Sequence, residues 1–149
     1  MSYNNLRKGR FSEANIIYLI TTVTYKRKKL FHNFGLARCM INEIKNMDNN
    51  GYVETLSWVV MPDHIHWLIQ INDNYSLPVV VKRLKATSAR SLNQYLNKQG
   101  QVWQKAYYDR SLRKEEDIKQ VSRYIVANPL RAGLVKKIGD YSHWDAIWL

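Results

Sequence analysis

Apolar side chains recur along this chain with two periods, and the change from one to the other marks the elements. From Trp58 to Ile71 the chain is rich in β-branched and aromatic residues and reads as two strands, Tyr52 to Met61 and His64 to Ile71, with a bulge or tight bend at Pro62-Asp63. Successive strand side chains point to opposite faces, so Ile65, Trp67, Ile69 and Ile71 form one wholly apolar face, while His64, His66, Leu68 and Gln70 share the other. Ile16 to Tyr25 reads as an earlier strand. Between them, Leu36, Met40, Ile41, Ile44 and Met47 repeat with a helical period, which Asn49-Asn50-Gly51 ends. After a turn at Asn72-Asp73-Asn74, Leu77 to Leu96 is a second helix, with Val80, Val81, Leu84, Leu92, Tyr95 and Leu96 as core candidates. A short strand around Tyr107 to Leu112 precedes a last helix from Lys114 to Ala127. Glu115, Glu116 and Asp117 suit the positive end of its dipole, and Pro129 is expected to stop it. The tail from Ile138 to Leu149 is aromatic and irregular and is expected to pack back on the body.

The order strand, helix, strand, strand, helix, strand, helix predicts an α+β, ferredoxin-like split β-α-β sandwich. Its sheet would be antiparallel or mixed, with two helices on one face. The histidine face is then left for the last helix. At 149 residues, with no repeats and no dividing linker, residues 1–149 are expected to form one domain with a real core.

Charge changes the picture next. Lys and Arg number 23 against 12 Asp and Glu, a formal net charge of +11, and a basic domain of this size most often meets nucleic acid. The cations cluster as Arg7, Lys8 and Arg10; Lys26, Arg27, Lys28 and Lys29; Lys82, Arg83, Lys85 and Arg90; and Arg110, Arg113 and Lys114. Tyr3, Phe11, Tyr25, Phe31, Tyr107 and Tyr108 lie near several of them, and basic grooves with stacking rings are what a single strand needs. Surface solvation is the competing explanation. The single cysteine, Cys39, excludes an internal disulfide framework and a thiolate-cluster zinc site. Met1 to Lys8 lacks the apolar core of a signal peptide, and no run reaches the length of a membrane span, so a cytoplasmic location is expected.

Two imidazoles at i, i+2 on one strand face are close enough to hold one metal ion, although ordinary hydrogen-bonded histidines account for such a pair as well. On the last helix, Ile118, Val121 and Ile125 form an apolar stripe, and Gln120, Tyr124 and Asn128 share one side beside it. Tyr124 and Asn128 could address a metal held by the histidines; equally, Tyr124 could be a half-buried amphipathic-helix tyrosine and Asn128 a helix terminator. Asp63 is expected to serve the turn or to orient a histidine. His32 and His143 are expected to be structural or surface residues.

Met61-Pro62-Asp63-His64-Ile65-His66, followed by Tyr124-Ile125-Val126-Ala127-Asn128-Pro129-Leu130-Arg131-Ala132-Gly133-Leu134-Val135, resembles the single-tyrosine transposases with a His-hydrophobic-His motif. Within them it looks most like the bacterial REP-associated tyrosine transposases. Gly9 to Glu13, Ile20 to Thr24, Gly100 to Gln104, Tyr108 to Arg110 and Tyr141 to Trp144 extend the likeness over nearly the whole chain. The resemblance implies that His64 and His66 bind a divalent metal, Mg²⁺ or Mn²⁺, with Asn128 as third protein ligand where insertion-sequence relatives often have glutamine. It implies Tyr124 as the nucleophile, single-stranded or hairpin DNA as substrate, a 5′-phosphotyrosine intermediate, and a guide-reading role for the N-terminal basic segment. The group implies a monomer; a homodimer exchanging the tyrosine helix is the alternative. Competing readings are a non-catalytic single-strand binder, a replication-initiator or relaxase-type nickase, and a metal hydrolase using water.

Overall fold

The computed structural model describes residues 16–113 and 115–146. It contains β1 (Ile17–Val23), α1 (Phe34–Asn49), β2 (Val53–Met61), β3 (His64–Ile71), α2 (Leu77–Leu96), β4 (Tyr108–Leu112), α3 (Glu115–Val126), α4 (Asn128–Arg131) and β5 (Trp144–Ala146). The strands form one sheet in the order β4-β1-β3-β2-β5, and every pairing is antiparallel. The first four strands and their helices have the expected ferredoxin-like arrangement.

Strand alternation divides the sheet as anticipated. Ile20, Trp58, Val60, Ile65, Trp67 and Ile69 face α1 and α2, and with Phe31, Trp103 and the inner faces of both helices they make the main core. The opposite face presents Ile17, Val59, Met61 and Leu68, which pack with Leu112 and with Ile118, Val121 and Ile125 of α3. The tyrosine-bearing helix therefore lies on the histidine side of its own chain's sheet.

Local signals explain the ends of the elements. Asn33 Oδ1 accepts from Leu36 N (3.1 Å) to cap α1, and Gly51 follows it with φ +80°. Pro78 sits in the first turn of α2, and Asn97, at φ 53°, closes it in the left-handed conformation. Among the described residues, no helix is long and apolar enough to cross a membrane.

Three departures from the sequence reading have physical causes. The tail is not wholly irregular, because Trp144–Ala146 pairs with Ser57–Val59 as a fifth strand on the outer edge of β2. Three residues are too few to show a period. β1 ends at Val23 rather than Tyr25, since the chain turns through a 3₁₀ turn at Tyr25–Arg27, where Lys26 and Arg27 hold φ of 57° and 51°. Pro129 also does not end the helical course. It has no N–H to give the Ile125 carbonyl, so α3 stops at Val126; after Ala127 the chain restarts as α4 with proline in its first turn.

Candidate active site at the β2–β3 turn

Met61 pairs directly with His64, so Pro62 and Asp63 form a two-residue turn, the tight bend of the two possibilities. The turn is clamped from outside: Thr24 N donates to the Asp63 carbonyl (2.9 Å) and Phe31 N to the Pro62 carbonyl (3.0 Å). The imidazoles leave the strand on one face with ring centroids 4.9 Å apart and planes at 80°.

Each imidazole has its δ nitrogen engaged. Asp63 Oδ1 lies 2.7 Å from His64 Nδ1, and Asp63 Oδ2 accepts from Arg27 Nη1 at 3.2 Å. Burial acts to raise the Asp63 pKa, but His64 and Arg27 outweigh it and hold the carboxyl below its ordinary value. An ionised carboxylate can only accept, so His64 Nδ1 carries the proton between them and Nε2 is the ring nitrogen left to face a ligand. His66 Nδ1 lies 2.8 Å from Thr21 Oγ1 on β1, whose register places Thr21 opposite His66. Burial, then the charges of His64 and Arg131, push the His66 pKa down to about 4, so that imidazole is neutral at physiological pH. With both δ nitrogens engaged, the two ε nitrogens form a donor set that fits a divalent cation. Among the described residues no three His, Cys, Asp or Glu side chains converge, so further donors would be amide or substrate oxygens.

Tyr124 is 56% exposed, against the half-buried alternative. Its ring lies under Arg131, whose Cζ is 3.6 Å from the ring centroid. Arg131 Nη2 also donates to the Tyr124 carbonyl (2.7 Å) and to Asn128 Oδ1 (3.2 Å). Arg131 is also one of the charges that lower the His66 pKa, after burial and His64. Tyr141, packed against this cluster, is unsuited to attack: it donates its hydroxyl to the Val60 carbonyl (2.6 Å), and burial pushes its pKa up to about 12.

The cations expected to meet DNA divide by location. Lys26, Arg27 and Lys28 are exposed at the turn after β1, with Arg27 bound to Asp63. Arg110 is exposed on β4 opposite Leu19, on the histidine face. Lys82, Arg83 and Lys85 belong to α2, across the sheet. Arg83 lies over the Tyr52 ring (4.8 Å). Lys85 also holds a loop, since its ammonium donates to the carbonyls of Gln104, Lys105 and Ala106 (2.8, 3.2 and 3.0 Å). Arg7, Lys8 and Arg10 lie outside the described residues. Sequence reasoning assigned nothing to Thr21 or Arg131; strand register would have found Thr21, and the i, i+7 spacing to Tyr124 would have found Arg131.

A family profile described as "Transposase IS200 like" matches residues 12–128. The chain belongs to the IS200-like transposase family. Among relatives of this IS200-like chain, a Haemophilus influenzae protein provisionally named REP-associated tyrosine transposase is 27% identical over 100 residues, 60% of this chain and 57% of its own length. The REP-associated tyrosine transposase of Escherichia coli is 28% identical over 91 residues, 59% of this chain and 51% of its own length. The chain thus spans about half the length of these curated relatives. A solved REP-associated tyrosine transposase bound to a REP hairpin superposes with a TM-score of 0.71 at 17% identity, covering 95% of this chain and 81% of that one. These relatives agree with the resemblance read from the two motifs.

Proposed function

We propose that this IS200-like chain cuts and rejoins single-stranded DNA beside a hairpin, through a 5′-phosphotyrosine on Tyr124. The observation that carries the reading is the histidine pair, whose δ nitrogens are held by Asp63 and Thr21, on the sheet face against which the Tyr124 helix packs. A binder needs no such arrangement. In the reaction, Tyr124 Oη attacks a backbone phosphorus in line with the 3′ oxygen. The Oη–P bond forms as the P–O3′ bond breaks, the phenolic proton is lost to solvent, and the leaving oxygen is protonated to a 3′-OH. The covalent link conserves the phosphodiester bond energy, so a strand can be rejoined without ATP.

His64, His66 and Asn128 would hold a divalent cation, which supplies charge neutralisation at the non-bridging oxygens. Mn²⁺ accepts nitrogen ligands more readily than Mg²⁺, and either would serve. Lys26, Arg27, Lys28 and Arg110, on the site's side, would hold the cleaved strand by its phosphates. Lys82 and Arg83 would meet DNA across the sheet, and Arg7, Lys8 and Arg10 would help read the guide sequence. Because α3 packs on its own chain's sheet, the reaction would run in cis in a monomer, in the cytoplasm.

The test is a denaturing gel of the protein with labelled hairpin DNA from repeats flanking its gene, with Mn²⁺ or Mg²⁺. A metal-dependent protein–DNA band absent in Tyr124→Phe supports the reading. Cleavage that survives Tyr124→Phe makes the enzyme a hydrolase, and binding without cleavage on several hairpins makes it a binder.

A further inference from the structure

Arg131 touches three separate parts of the tyrosine segment, and none of those contacts is a salt bridge to an acid. Its Cζ lies over the Tyr124 ring, 3.6 Å from the ring centre, and one of its nitrogens donates both to the Tyr124 carbonyl (2.7 Å) and to Asn128 Oδ1 (3.2 Å). The sequence makes this possible in two steps. Tyr124 and Arg131 are seven residues apart, two helical turns, and helix side chains lean toward the N-terminus, so Arg131 reaches back over Asn128 to the ring. Pro129 breaks the ladder at Ala127 but restarts it immediately, which keeps Arg131 on the Tyr124 side of the rod.

We propose that Arg131 is a positioning residue for the reaction above: it holds the exposed Tyr124 ring and the Asn128 carboxamide in one fixed relation by stacking on the first and hydrogen bonding to the second. The inference rests on the strand-transfer reading for its kinetic part alone. Tyr124 needs such a brace because its ring is more than half exposed and its own helix offers it no core to pack against. A bound carboxamide oxygen keeps a second lone pair, so the brace is compatible with a ligand role for Asn128. Only a planar guanidinium can stack on a ring and fork to two oxygens, and lysine cannot replace it.

The experiment has two arms. In the first, single-turnover formation of the protein–DNA adduct at saturating hairpin is compared with hairpin affinity for wild type, Arg131→Ala, Arg131→Lys and the exposed control Arg123→Ala. The expected result is an adduct rate lowered on the order of tenfold in Arg131→Ala and in Arg131→Lys, with affinity within about threefold. Added ethylguanidinium should restore part of the rate to Arg131→Ala, while Arg123→Ala stays unchanged. An affinity loss as large as the rate loss, or full activity in Arg131→Lys, would overturn the proposal, since either makes Arg131 a simple phosphate contact. The second arm needs no activity. In the free protein, the Arg131 side-chain proton resonances should be shifted upfield by the Tyr124 ring and return to ordinary positions in Tyr124→Ala. Absence of that shift overturns the brace. Its presence in a wild type that forms no adduct leaves the brace standing and refutes the strand-transfer reading instead.

Discussion

The two faces of the one sheet are built to different standards. Toward α1 and α2 the packing is deep and aromatic, with Trp67 wholly buried, Trp103 bonded to Ser88 Oγ (2.9 Å), and Phe31 beside it. Toward α3 the packing is a narrow seam in which Ile118, Val121 and Ile125 meet Leu68, Val59 and Met61. The histidines stand on the thin side but are anchored in the central strands, whereas Tyr124 stands on the layer laid over them. Half of the candidate site belongs to the core strands, and the other half rides on a helix seated through Ile118, Val121 and Ile125. If Tyr124 takes up a DNA end and then releases it, as proposed, it is better placed on the layer that can be moved at lower cost.

The predictions below probe that contrast, from the largest effect to the smallest. Tyr124→Phe should lower adduct formation by at least about 10³-fold with hairpin binding and melting temperature unchanged, because the side chain is more than half exposed. A melting temperature that falls with it would show that Tyr124 is part of the packing. Next, Trp67→Ala should destabilise the whole protein by about 3–5 kcal/mol and Ile125→Ala by about 2–4 kcal/mol in denaturant titrations. Hydrogen exchange should then separate the faces: Ile125→Ala should expose α3 amides while α1 and α2 stay protected, and uniform loss of protection would show one cooperative unit.

Acid should also act on the histidine face. His66 falls from its ordinary 6.5 to about 4 on folding, so the fold favours its neutral form. That stability is fully present above about pH 6.5 and is lost as pH falls toward 4, up to about 3 kcal/mol. Melting curves in chelator between pH 7.5 and 4 measure it, and His66→Gln should flatten the slope. The smallest effect is at the turn: Asp63→Ala should weaken Mn²⁺ binding by about 10–100-fold in calorimetric titration while leaving Trp67 burial, read by fluorescence, as it was.

How much of this was visible in the residues follows the same division. Alternation from His64 to Ile71 separated the two faces correctly because one of them is uninterrupted by a polar side chain. The limits of α2 were readable because Pro78 and the Asn97 cap enforce them locally. β5 was not, since its pairing with β2 depends on a partner some ninety residues away and on no period of its own. The loop-holding role of Lys85 was not readable, because charge is a property of one residue, whereas the three carbonyls it serves come from another segment. Pro129 ends α3 within a residue of the expected place, but the restart as α4 was not readable, because a missing hydrogen bond says nothing about whether the chain resumes its course. Asp63 was expected at the turn or on a histidine, and it serves both.

The strand order β4-β1-β3-β2-β5 has one more consequence, in time rather than in space. A chain emerging from the ribosome completes β1, β2, β3 and both covering helices before any of Glu115–Val126 exists. The pair of imidazoles is therefore assembled on its central strands first, and the residue proposed to cut DNA arrives after it. During that interval Leu68, Val59 and Met61 lie bare, so the nascent protein is sticky before it is reactive.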